Sequence, residues 1–110
     1  MPAGYVIRLS TDRKHFWTLR ADNNAILLTS ETYNSKEACK TGIESAKRNA
    51  PYDARYSRGT ATNGQSYFTL KAENGQVLGT SETYNTTASR DAGIQATKKV
   101  GPTAPIVDLT

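Results

Sequence analysis

Two tandem β-β-β-α units that share a single antiparallel sheet, with both helices packed on one face, are the α+β fold this sequence predicts. Three observations lead there. The chain repeats itself without a gap at an offset of 51 residues: 17–51 and 68–102 agree at 15 of 35 positions, six of them consecutive. Each half reads as three short strands followed by one helix. One unit of about 51 residues would bury too little surface to stand alone, so the two must complete a common core. The division is residues 1–51, 52–102 and a short tail, 103–110. The link over 49–54 is too short and too apolar to be a free tether.

The first strand covers residues 5–9, with Tyr5, Ile7 and Leu9 alternating onto one face. Its counterpart, 56–60, is far less apolar. A turn follows in each unit, Thr11-Asp12-Arg13-Lys14 and Thr62-Asn63-Gly64-Gln65. Asn63-Gly64 suits the positive φ angles of a two-residue type I′ hairpin turn. The second strands span 15–21 and 66–72. The next turns are Asp22-Asn23-Asn24 and Glu73-Asn74-Gly75, where Asn replaces Gly because it tolerates the left-handed region. The third strands span 25–29 and 76–80.

A helix closes each unit. Asn34 or Ser35 caps the first and Asn85 or Thr86 the second. The helices end near Asn49 and Val100, because Pro51 and Pro102 cannot extend them. Ala38, Gly42, Ile43 and Ala46 share a helical face, and Gly93 and Ile94 repeat its centre. A mid-helix glycine costs ~1 kcal/mol relative to alanine. Its presence in both copies predicts a backbone lying close against the sheet.

The run Phe68-Thr69-Leu70-Lys71-Ala72-Glu73-Asn74-Gly75-Gln76-Val77-Leu78-Gly79-Thr80-Ser81-Glu82-Thr83-Tyr84 resembles the signature of YegP-like domains, a bacterial family of unknown function. Gly42-Ile43 ahead of Ser45-Ala46-Lys47-Arg48-Asn49 carries the same resemblance, which covers nearly the whole chain in tandem form. It implies three-strand-plus-helix units assembled into one antiparallel sheet with helices exchanged between them; single-unit relatives would reach the same shape as dimers. It brings no activity and no functional residues.

Composition narrows the function classes. With 36% hydrophobic and 22% charged residues the chain is globular rather than disordered. The longest apolar run, 25–28, is far short of the ~20 residues of a membrane helix. Met1-Pro2-Ala3-Gly4-Tyr5 lacks the pattern of a secretory signal, and a lone Cys39 forms no intrachain disulfide. A cytoplasmic monomer without membrane attachment is expected. The net charge of +4 favours anionic partners, although its even spread along the chain equally serves solubility.

Catalytic chemistry has little to draw on. His15 and Cys39 are the sole histidine and cysteine, and their counterparts are Ser66 and Arg90. No phosphate loop, dinucleotide fingerprint or metal-ligand cluster is present, so no cofactor is expected. Two function classes follow. The favoured one is a non-catalytic binding module. Alternation places Arg8, Phe16, Arg20, Tyr67 and Lys71, together with Val6, on the sheet face opposite the helices. Rings among cations are the chemistry of single-stranded nucleic-acid binding, and nucleic acid is the candidate partner. The alternative is an enzyme with a carboxylate or hydroxyl site near the duplicated Ser30-Glu31-Thr32-Tyr33-Asn34 and Ser81-Glu82-Thr83-Tyr84-Asn85. A deep pocket with buried, perturbed carboxylates would mark it. The structural explanation of the duplication is that Asn caps a helix and Tyr packs between helix and sheet.

Overall fold

Four hairpin turns of one design set the strand register. The computed structural model describes residues 2–110. In it β1 (Gly4–Leu9), β2 (His15–Arg20) and β3 (Ile26–Ser30) form a meander, as do β4 (Tyr56–Thr60), β5 (Ser66–Lys71) and β6 (Val77–Thr80). Each turn places one residue in the left-handed region: Arg13 (φ 64°), Asn24 (φ 68°), Gly64 (φ 83°) and Gly75 (φ 87°). Its N–H bonds back three residues, as from Gly64 to the Ala61 carbonyl at 2.9 Å, while Ala61 N–H bonds Gln65 at 2.7 Å. The loops are therefore three-residue turns closed by a bulge rather than the type I′ turn expected at Asn63-Gly64, which would need two positive φ angles.

The strands assemble in the order β4-β5-β6-β3-β2-β1-β7. The units join through β3 and β6, where Thr29 faces Thr80. Those two residues are each other's counterparts at the 51-residue offset, so they mark a local two-fold axis. The sheet is antiparallel except at one edge. The tail supplies β7 (Ile106–Asp108), which runs parallel to β1 with Tyr5 beside Ile106. The all-antiparallel expectation is thus corrected to a mixed sheet. Period-two alternation does not foretell a three-residue strand that exists through its neighbour.

Helix α1 (Lys36–Asn49) packs on β2 of its own unit and on β5 and β6 of the other; α2 (Thr87–Val100) packs on β5 and on β3. The helices are thereby shared across the two-fold, on one face. Ser35 and Thr86 are the N-caps, accepting from Ala38 N–H and Ser89 N–H. A 3-10 turn, Asp53–Arg55, leads from α1 straight into β4. Among the described residues no helix is long and apolar enough to cross a membrane.

One core lies between helices and sheet, with Tyr5, Ile7, Trp17, Leu19, Phe68 and Leu70 from the strands meeting Ile43, Ala46 and Ile94. A bulge opposite Leu19 lets consecutive Leu27 and Leu28 both enter it. Two side chains depart from simple alternation. Leu9, assigned to the buried face, is 51% exposed because β1 outruns the helices there. Val6, assigned to the outer face, is 1% exposed because it lies between Thr18 and the β7 residue Val107.

The helix glycines meet tyrosines rather than the sheet backbone. A Cβ on Gly42 would fall 2.2 Å from the Tyr33 hydroxyl, and one on Gly93 would fall 2.5 Å from that of Tyr84. At the other end of the helices, Tyr5 Oη donates to the Gly101 carbonyl (2.8 Å) and Tyr56 Oη to that of Ala50 (2.7 Å). Each first strand thus anchors the end of the other unit's helix, and burial raises both phenol pKa values far above the usual.

Candidate functional site

The sheet face away from the helices carries a row of small side chains across all seven strands. Register links Ser57, Thr69, Thr80, Thr29, Thr18, Val6 and Val107 as successive neighbours. Thr18, fifth of the seven, is 5% exposed, and its hydroxyl is buried with no partner among the described residues.

The five residues expected to bind flank this row. Arg8 pairs directly with Phe16. Phe16 stands two residues before Thr18 on β2, and Tyr67 two before Thr69 on β5. Because β2 and β5 run in opposite directions, the rings lie on opposite sides of the row. Three strand spacings of ~4.8 Å and four residues of ~3.3 Å put them roughly 20 Å apart. Lys71 lies on the Phe16 side, beside Val77, and Arg20 on the Tyr67 side, beside Ile26. The structure therefore joins Arg8 to Phe16 but divides the five into two groups around the two-fold.

Each ring is half-buried for a local reason. Tyr67 lies across the edge-strand glycine, where a Gly59 Cβ would come within 2.8 Å of its ring. A ring laid over an edge glycine covers backbone that would otherwise be exposed. In the first unit Arg8 stands where Gly59 stands, so its side chain runs beside Phe16. Arg8 is exposed, whereas Arg20 and Lys71 are partly covered. Arg20 reaches back to Asn24 at 3.4 Å.

The duplicated Ser-Glu-Thr-Tyr-Asn loops have a structural account. Ser30 Oγ accepts from Trp17 N–H (2.9 Å) and donates to the Glu31 carbonyl (2.7 Å). Ser81 repeats both bonds with Phe68 and Glu82 at the same distances. The backbones of Tyr33 and Tyr84 form isolated bridges with His15 and Ser66. Their rings abut the helix glycines, and burial raises both phenol pKa values. Asn85 accepts from Gln65 at 2.6 Å. Serine replaces a ladder carbonyl where the third strand leaves the sheet, and tyrosine sets the helix distance. Sequence periodicity cannot show that exchange.

Reactive groups elsewhere are tied down. Cys39 is buried on α1, and burial pushes its thiol up to about 11, the reverse of an activated nucleophile. The carboxylates with displaced pKa values all lie at the surface and all move down. Asp12 is held by Ser10, Asp53 by Lys98 and Arg58, and Asp108 by Thr110 and Lys36. Among the described residues no three His, Cys, Asp or Glu converge as a metal site.

A sheet backed by two shared helices, with a hydroxyl row on its uncovered side, defines a tandem β-β-β-α repeat protein. The chain belongs to the DUF1508 family, a domain of unknown function whose model matches twice, over residues 10–57 and 61–108. It is 46% identical over 108 residues to a UPF0339 protein of Bordetella pertussis, covering 98% of this chain and 97% of that one. It is 39% identical over 110 residues to the UPF0339 protein YegP of Escherichia coli, covering 100% of both. The solution NMR structure of a UPF0339 protein from Shewanella oneidensis superposes with a TM-score of 0.92 at 42% identity, covering 100% of this chain and 93% of that one. No function is established for the family.

Proposed function

We propose that the protein is a non-catalytic binding module whose uncovered sheet face takes single-stranded nucleic acid. The observation that carries this reading is the placement of Arg8, Phe16, Arg20, Tyr67 and Lys71 on one side of the sheet around a row of hydroxyls. A strand laid diagonally from Phe16 to Tyr67 would stack a base on each ring. Its backbone would pass over Thr18, whose hydroxyl is buried, and cross Thr29, Thr80 and Thr69, whose hydroxyls can bond phosphate or sugar. Each stack is worth ~1–3 kcal/mol, and a path of roughly 20 Å suits about four nucleotides, the lower end of known site sizes.

The test is anisotropy titration of labelled single-stranded DNA and RNA at low and physiological salt. Losing Arg20 and Lys71 together should weaken binding and reduce the log–log salt slope by about 1.4, at ~0.7 per phosphate contact. Losing Phe16 or Tyr67 should weaken binding with little change in slope, since stacking releases no counterion. Wild-type protein that leaves both probes unbound at low salt ends the proposal.

A further inference from the structure

The two-fold builds one cleft twice and lines the copies differently. Each lies between the C-terminal half of one helix and the turn joining the second and third strands of the other unit. The cleft between α1 and the β5–β6 turn has a volume of about 380 Å³. Ser45, Arg48, Asn49, Tyr52, Arg55 and Asn74 are among the residues lining it. Its counterpart, between α2 and the β2–β3 turn, presents Ala96, Lys99 and Val100 where the first has Ser45, Arg48 and Asn49. Ile106, now part of β7, replaces Arg55. Since the same backbone is built with alanine and valine, the fold does not require the polar set.

That set is held in place. Asn49 is fixed by its amide on the Ser45 carbonyl (2.8 Å) and accepts from Arg55 Nε (2.9 Å). The Arg55 guanidinium lies 5.7 Å from the centre of the Tyr52 ring, which is 58% exposed. Its one carboxylate partner among the described residues, Glu73, is exposed and 3.5 Å away. Arg48 has no ion pair or side-chain hydrogen bond among the described residues, and it also lines an adjoining hollow of about 470 Å³ along α1. Three carbonyls at this helix end are occupied, Ser45 by Asn49, Asn49 by Tyr52 N–H and Ala50 by Tyr56 Oη, which reduces the negative end of the helix that an anion would meet.

We propose that this cleft binds a phosphate monoester carrying a planar ring, a nucleoside monophosphate in chemical class. Arg48 and Arg55 take the phosphate, whose charge of about −1.5 to −2 near neutral pH calls for two cations. Tyr52 supplies the stacking surface, and Ser45 and Asn74 supply neutral hydrogen bonds. The site is distinct from the sheet face.

The experiment is a ¹H–¹⁵N titration of the full chain with inorganic phosphate, adenosine and adenosine monophosphate. Saturable shifts at Ser45, Arg48, Tyr52 and Asn74 are expected, with the monophosphate tighter than either fragment. Arg48→Gln should weaken it at least about tenfold, the loss of one charge-assisted bond. Glu73→Gln should tighten it by freeing Arg55. Tyr52→Thr, the residue of the counterpart cleft, should abolish its advantage over phosphate. Equal shifts in both clefts, shifts confined to the Phe16–Tyr67 face, adenosine matching its monophosphate, or no saturation at millimolar ligand would each overturn the assignment.

Discussion

Adding one methyl group at Gly42 measures how firmly the duplicated loop is wedged against its helix. A Cβ there would lie 2.2 Å from Tyr33 Oη and 2.7 Å from Cζ, so the ring must shift by about 1 Å to reach ordinary contact. Two effects of opposite sign compete. Alanine improves an interior helix position by ~1 kcal/mol, whereas overpacking a filled site costs ~1–3 kcal/mol. Gly42→Ala should therefore destabilise the protein by up to ~2 kcal/mol. In a Tyr33→Leu background the obstacle is gone, and the same change should stabilise by ~1 kcal/mol. The coupling energy, ~1–3 kcal/mol, lies in the range measured for residues in contact. Urea unfolding followed by the fluorescence of Trp17, the sole tryptophan and fully buried, together with far-UV dichroism, would report all four proteins. A Gly42→Ala protein more stable than wild type by the full helix-propensity gain of ~1 kcal/mol, or a double-mutant cycle that closes to zero, would refute the account of why glycine and tyrosine recur together.

Other consequences follow from single contacts. Ser30→Ala leaves the buried Trp17 N–H without its partner and should cost ~1–3 kcal/mol, with Ser81→Ala showing the same loss at Phe68, measured by denaturation midpoints. Arg13 holds φ 64°, so Arg13→Gly should raise the thermal midpoint by relieving ~1 kcal/mol of left-handed strain; a lower midpoint would mean its side chain contributes more than its backbone costs. The Lys36–Asp108 pair at 2.9 Å pins β7, and Asp108 has a pKa held below the usual range by its Thr110 and Lys36 hydrogen bonds. A depressed folded value means the contribution is full above the ordinary carboxylate pKa of ~4 and is lost as pH falls through the lower folded value. Amide exchange in Ile106–Asp108 should accelerate in that acid window ahead of the central strands, and Asp108→Asn should remove the pH dependence.

The repeat, read from the sequence, determined the elements and their order. Six identical residues in register, Thr29 through Asn34 over Thr80 through Asn85, make two equivalent units, and the small size of each makes a shared core necessary. The helix caps were legible to within one residue, because a capping side chain acts through its own next turn; of Asn34 or Ser35 and Asn85 or Thr86, the serine and the threonine cap, not the asparagines of the duplicated loops. Tertiary structure decided what depends on distant partners. Gly42 and Gly93 are explained by tyrosine rings nine residues earlier in each unit, across the strand-to-helix loop. The tail becomes a strand because β1 offers an unpaired edge, which no local pattern in Ile106–Asp108 announces. The five outer residues were assigned to their face by alternation alone. Their division into two groups on opposite sides of the threonine row follows from the antiparallel joining of β3 to β6, which reverses β5 relative to β2. The difference between the two clefts likewise exists only in the fold. It comes from residues of both units, and the 51-residue offset shows it only after the helices have crossed to the other unit's strands.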